Sequence, residues 1–151
     1  NGMSTVSAGT LNIGNGTGSG SFTGNITNSA AVVFNRTGSL TYSQVISGNG
    51  TVSLTGGTFI FAGNNTYSGL TSILSGTLQI GNGGTSGNVT GSITNSGTVI
   101  FNRSDNLTVG AAIRGLGGVH IAAGSYTFAS AQTYPGPTLF NFAAPQPPPG
   151  P

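Results

Sequence analysis

Residues 3–69 and 70–136 are one sequence written twice, in register and without a gap. A shift of 67 residues sets Gly9-Thr10-Leu11-Asn12-Ile13-Gly14-Asn15-Gly16 on Gly76-Thr77-Leu78-Gln79-Ile80-Gly81-Asn82-Gly83. It also sets Ile26-Thr27-Asn28-Ser29 on Ile93-Thr94-Asn95-Ser96, and Phe34-Asn35-Arg36 on Phe101-Asn102-Arg103. Identical residues occupy 31 of the 67 aligned positions, far beyond chance even in a chain this rich in Gly and Thr. A long gapless repeat is the mark of a periodic architecture, in which each unit buries its apolar face against the next. That points to a structural role before any chemistry is considered.

Charge is nearly absent. Charged residues make up 3% of the chain, and apart from tyrosines the ionisable side chains are Arg36, Arg103, Arg114, Asp105 and His120. A net charge of +2 from three scattered arginines is no nucleic-acid footprint, which needs clustered Lys and Arg. Disorder is disfavoured as well, because hydrophobic residues are 35% of the chain and fall in short β-type runs. Cysteine is absent, so there is no disulfide framework. No apolar run is long enough to span a membrane as a helix. No signal peptide is present, and the chain opens at Asn1 in mid-repeat, as a mature or excised piece would. So few charges repel other copies poorly, which favours self-association.

The apolar runs are Thr10–Ile13, Val32–Phe34, Thr51–Thr55, Thr58–Phe61, Thr77–Ile80, Val99–Phe101, Val119–Ile121 and Tyr126–Phe128. In Val52-Ser53-Leu54 and Phe59-Ile60-Phe61 the apolar residues alternate, as a strand with one buried side requires. Gly and Asn separate the runs and suit tight corners. No stretch combines a helical period with helix-forming composition. Short strands on a long repeat predict an all-β parallel β-solenoid of two tandem 67-residue repeats. About 20–25 residues per coil gives roughly three coils per repeat. Equivalent residues of the two repeats are then expected to stack inside, Ile26 with Ile93, Phe34 with Phe101 and Val52 with Val119. The expected domain is residues 1–142, holding the repeats 3–69 and 70–136 and the start of a further unit at 137–142. The proline-rich segment 143–151 reads as an extended tail, because proline cannot donate to a strand ladder.

The segment Gly63–Gly81 resembles the autotransporter-associated β-strand repeat through Asn65-Thr66-Tyr67, Gly69, Thr71, Ile73, Gly76-Thr77-Leu78 and Ile80-Gly81. Gln132–Thr138 is a weaker copy, and Met3–Gly14 looks like the second half of the motif. The resemblance implies a right-handed parallel β-helix in large bacterial surface and secreted proteins, often as a stalk. It implies no shared catalytic residues.

The residues themselves give chemistry little to work with. Glycoside hydrolysis ordinarily needs two carboxylates, and Asp105 is the only one among the side chains. Asp105 reads as a turn residue near Arg103, and its repeat partner is Gly38. His120 reads as an outward strand histidine without metal or catalytic partners. Calcium rolls need aspartates that are missing, and Gly14–Gly20 lacks the Lys of a phosphate loop. Arg36 and Arg103 are expected to cap strand ends and bond carbonyls of a neighbouring coil or of a partner chain, with ligand binding as the alternative. Tyr67 and Tyr134 are expected at corners, with their hydroxyls held by backbone. Of the Asn-x-Ser/Thr sequons, Asn35 and Asn102 keep theirs in both repeats, which marks them as candidate glycosylation sites.

The expected function is an extracellular or cell-surface structural protein, a stalk or fibre element that is not an enzyme and uses no cofactor or metal. Head-to-tail stacking into filaments is expected at ends formed by Met3 and Val6 and by Leu139, Phe140 and Phe142. The expected partner is the chain itself, with cell-surface polysaccharide as a further one and no nucleic acid. The alternative is an adhesion module for carbohydrate or ice, the latter through outward ranks such as Ser92-x-Thr94-x-Ser96-x-Thr98.

Overall fold

The computed structural model describes residues 2–140. The tail expected at 143–151 and the end residue Phe142 lie outside the described residues. Among those described, every regular element is a strand. In chain order they are β1 (Met3–Val6), β2 (Thr10–Ile13), β3 (Asn25–Asn28), β4 (Ala31–Asn35), β5 (Ser39–Tyr42), β6 (Ile46–Gly48), β7 (Thr51–Thr55) and β8 (Thr58–Phe61). There follow β9 (Thr71–Ile73), β10 (Thr77–Ile80), β11 (Ile93–Asn95), β12 (Thr98–Val109), β13 (Ile113–Arg114), β14 (Gly118–Phe128) and β15 (Thr138–Phe140). They form three sheets, ordered β1-β3-β6, β2-β4-β7-β9-β11-β13 and β5-β8-β10-β12-β14-β15.

Every pairing in the three sheets is parallel, and from β1 to β14 successive strands of the chain fall on different sheets, so the chain winds as a three-sided β-solenoid. Along the second sheet Thr10 pairs with Ala31, Ala31 with Thr51, Val52 with Thr71, Thr71 with Ile93 and Ile93 with Ile113. One circuit therefore takes roughly twenty residues, the low end of the expected range. The bridge between Arg114 and Thr133 adds a further level above the six strands of this sheet, giving about seven turns.

Alternation decides which side chains enter the core. In β4, β7, β8 and β10 every second residue is buried and its neighbours are half-exposed or exposed. Parallel register then stacks like on like. Ile13, Phe34, Leu54 and Ile73 form one inward column of the second sheet. Tyr42, Phe61, Ile80, Phe101 and Ile121 form one in the third. Phe34 lies across the core from the third sheet, with ring centroids 5.7, 5.6 and 5.3 Å from Tyr42, Phe59 and Phe61. Such tilted aromatic contacts add to the burial energy of each ring.

The expected stacking of repeat-equivalent residues is corrected. All six named residues are buried, but Ile26 is on the first sheet and Ile93 on the second. Phe34 and Val52 are on the second sheet, Phe101 and Val119 on the third. The reason is arithmetic. A circuit of roughly twenty residues does not divide 67, so the repeat advances about three circuits and then one more face. Met3 and Thr10, the first residues of β1 and β2, show that a face-to-face step is short enough to account for the remainder. The two repeats thus have the same inward residues but present them from different sides.

The coils are held so close that corners between the second and third sheets exclude side chains. A Cβ on Gly57 would stand 2.5 Å from the Gly38 carbonyl oxygen, and one on Gly76 2.3 Å from that of Gly57. The series continues at Gly97 over Gly76 (2.2 Å), Gly117 over Gly97 (2.3 Å) and Gly136 over Gly117 (2.1 Å). No real Cβ tolerates such distances to backbone oxygen. Gly97→Ala should therefore destabilise the solenoid by about 1–3 kcal/mol, as overpacking does. Gly84→Ala, with nothing within 4 Å of the added atom, should fall within about 0.5 kcal/mol of wild type in urea denaturation.

Candidate functional site

The polar side chains that recur in both repeats are spent on joining one coil to the next. Asn28 is fully buried at the end of β3; its Oδ1 accepts the Ala30 N–H at 3.1 Å and its Nδ2 donates to the Thr51 carbonyl at 2.9 Å. Asn95 does the same at the end of β11, accepting from Gly97 N–H at 3.0 Å and donating to Gly118 O at 2.9 Å. One amide thus closes a corner in its own coil and ties that corner to the coil above. Asn65 and its repeat partner Gln132 make a second pair of ties. They accept from the N–H groups of Ile46 and Ile113 and donate to the carbonyls of Gly63 and Ser130. These four residues were not singled out in the sequence, although Asn28 and Asn95 sit in its most regular block, Ile-Thr-Asn-Ser. A small amide retained in both copies between strand residues was the available signal.

Arg36 and Arg103 meet the expectation of bonding a neighbouring coil. Arg36 Nη2 donates to Gly18 O at 2.7 Å and Nη1 to Gly20 O. Arg103 Nη2 and Nη1 donate to Thr85 O and Gly87 O, each at 2.6 Å. Each guanidinium therefore clasps the base of a Gly-rich loop, Asn15–Ser19 in one repeat and 82–86 in the other, whose tips are exposed. The clasps differ in one respect. Arg103 also holds Asp105, with Nε to Oδ1 at 2.8 Å and Nη2 to Oδ2 at 2.7 Å. That bidentate pairing keeps the Asp105 carboxyl below its ordinary range and raises the Arg103 guanidinium. Arg36 has Gly38 where Arg103 has Asp105, and its Nε is buried without a hydrogen-bond partner.

Tyr67 is buried at a corner, and its hydroxyl shares a 2.6 Å hydrogen bond with the Thr71 hydroxyl rather than with backbone. Tyr134 repeats the arrangement with Thr138 at 2.8 Å in a more exposed setting. Burial pushes the Tyr67 phenol well above its ordinary pKa. His120 lies on β14 in the outward column between Ile100 and Leu139. The run Ser92–Thr98 turns a corner at Asn95, so Thr94 and Thr98 fall on different sheets and do not form one flat rank. Among the described residues no group of three or more His, Cys, Asp or Glu is placed to hold a metal ion. No helix is long and apolar enough to cross a membrane.

Asn35 and Asn102 are half-exposed, and their carbonyls accept the N–H groups of Gly16 and Gly83 beneath the two clasped loops. Of the residues expected at the ends, Met3 is exposed on β1 while Val6 is buried. Leu139 and Phe140 are exposed on β15. Beside β15 a cavity of about 270 Å³ is lined by Ile121, Gly124, Ser125, Tyr126, Phe128 and Phe140. At the N-terminal end β1 and β2 each join one neighbour, so a strand edge there is unpaired among the described residues.

Comparison with known proteins agrees with this reading. Residues 56–80 match the Passenger-associated-transport-repeat. A curated relative, the adhesin BmaC autotransporter of Brucella suis biovar 1 (strain 1330), is 52% identical over 62 residues, which are 40% of this chain. The chain spans about 2% of the length of that adhesin. No solved structure matches. Over these residues the chain is similar to autotransporter passengers, in agreement with a place that is extracellular or at the bacterial cell surface. Repeats of this class are in general non-enzymatic.

Two outcomes test the coil ties. Asn95→Ala leaves the Gly97 N–H and Gly118 carbonyl short of a partner and should cost about 1–3 kcal/mol in chemical denaturation. Asp105, the only side-chain carboxylate, has its folded-state pKa lowered, mainly by its hydrogen bonds to Arg103. Its contribution is therefore present above the ordinary carboxylate pKa of about 3.9 and is lost as pH falls through the lowered value. Thermal unfolding between neutral and strongly acid pH should show that loss in wild type and a flatter profile in Asp105→Asn.

Proposed function

We propose that this chain is a rigid stalk segment of a surface passenger and that it carries no catalytic activity of its own. Its end coils stack on further coils, including those of a second copy. The unit is the solenoid of residues 1–142 with its two repeats, and the proline-rich segment 143–151 contributes to the joint between copies. The observation that supports this reading is that Asn28, Asn95, Asn65, Gln132, Arg36 and Arg103 all make coil-to-coil bonds, while β1 and β2 each join one neighbour and apolar side chains are exposed near both ends of the described residues. Met3 is 73% exposed at one end, and Leu139 is 59% exposed at the other. An exposed strand edge is a template for another strand, and a contact between unlike ends need not close. Almost no charge opposes it. Half-exposed Asn35 and Asn102 are the sequons best placed for glycans, because both repeats keep them.

An adhesive role has one specific support, the 52% identity to an adhesin over 62 residues. In that reading the exposed loops Asn15–Ser19 and 82–86 contact surface polysaccharide, displayed by the solenoid from two different sides.

Sedimentation and electron microscopy test the stacking. Wild type should assemble with rising concentration into rods or filaments. Met3→Lys with Leu139→Lys places like charges at the joint and should hold the protein monomeric with its β-sheet spectrum intact. A wild-type monomer stable at high concentration would remove the end-to-end role. Unchanged filament stability after deletion of residues 143–151 would remove the role of the tail alone.

A further inference from the structure

We propose that Arg36 is the receptor for an external carboxylate, in the place that Asp105 fills within the second repeat. The two arginines are repeat-equivalent and hold equivalent loops through the same two carbonyl positions. Their guanidiniums are therefore held through the same two loop carbonyls, although Arg103 continues within β12 and Arg36 is followed by a turn. In the second repeat the pose is completed by a carboxylate, bidentate on Nε and Nη2 at 2.8 and 2.7 Å. In the first repeat position 38 is glycine, and nothing lies within 4 Å of where its Cβ would be. Arg36 Nε is left buried and unpartnered. A buried donor on a charged group costs more to leave unpaired than a neutral one. A planar carboxylate is the group that matches an arginine fork.

The chain has almost nothing of its own to supply. Asp105 is its only side-chain carboxylate and is already held by Arg103. The carboxylate is therefore one from outside, either a uronic-acid sugar or an acidic side chain of a protein. This assignment does not require end-to-end stacking, because Arg36 follows β4 and is on neither β1 nor β15.

The Nε–H signals of arginine in a nitrogen-15 correlation spectrum read this site directly, since the chain has only three arginines. Titration with acetate at constant ionic strength should move the Arg36 signal downfield and saturate. The Arg103 signal should stay still, and that of Arg114 should follow salt alone. Gly38→Asp offers the same carboxylate from within. Gly38 has φ of 75°, a region that Asp enters more readily than most residues. That variant should give Arg36 the downfield signal of Arg103 and abolish the acetate response. Separate titrations with glucuronate and with N-acetylaspartate identify the source, whichever saturates at lower concentration. No saturable shift of the Arg36 signal in wild type with any of the three, or a shift shared equally by Arg114, would overturn the assignment.

Discussion

The structure depends on backbone hydrogen bonding between coils, repeated at every level and in one direction. Thr58 N–H bonds Gly38 O, Thr77 N–H bonds Gly57 O and Thr98 N–H bonds Gly76 O, each between 2.8 and 3.0 Å. A ladder of this kind sets one coil-to-coil distance for strands and corners alike. Strands accept it with any side chain that alternates correctly. Corners do not, because there the side chain would point along the solenoid axis into the carbonyl of the coil below. Glycine at 57, 76, 97, 117 and 136 is the consequence. Where a corner carries a side chain instead, as at Asn28 and Asn95, that side chain substitutes for part of the ladder.

The same constraint leaves little room for chemistry. Asn65, Gln132, Arg103 and Asp105 are each held by a neighbour within hydrogen-bond distance, and His120 stands in the outward column of β14 between Ile100 and Leu139. What the solenoid displays instead is polar, uncharged loops at fixed positions on a rigid axis. Because the repeat exceeds three circuits by one face, the loops clasped by Arg36 and Arg103 emerge from different sides. A passenger built by continuing this repeat would spiral its loops around the stalk rather than line them along one edge.

Divergence between the two repeats is informative because the scaffold is common to both. Asn65 and Gln132 differ by one methylene and make the same two bonds. Gly38 and Asp105 differ by a charge, and the local backbone differs with them. After Arg103 the chain continues as a single strand, β12, through register shifts near Asn102, whereas Arg36 is followed by a turn into β5. The bland substitution preserves a tie, and the unlike one changes what the arginine faces.

The repeat, the alternation and the Gly/Asn punctuation declared a parallel β-solenoid, and the resemblance of Gly63–Gly81 to the autotransporter-associated repeat pointed to the passenger type. The inward residues of β4, β7, β8 and β10 were legible for the same reason, since a period of two along a strand is a local property. The bonding of Arg36 and Arg103 to a neighbouring coil was legible from their repeat-equivalent place in Phe-Asn-Arg, but Arg103 lies within β12 rather than at a strand end. What stacks on what was not. Coil length is set by how many residues close a three-sided circuit at one ladder spacing, a property of the wound chain rather than of any segment. The 67-residue repeat therefore suggested Ile26 with Ile93, whereas the tertiary structure pairs Ile26 with Ile46 and Ile93 with Ile113. The ties made by Asn28 and Asn95 were hidden likewise, because their acceptors lie 23 residues away and become neighbours only once the next coil is laid down.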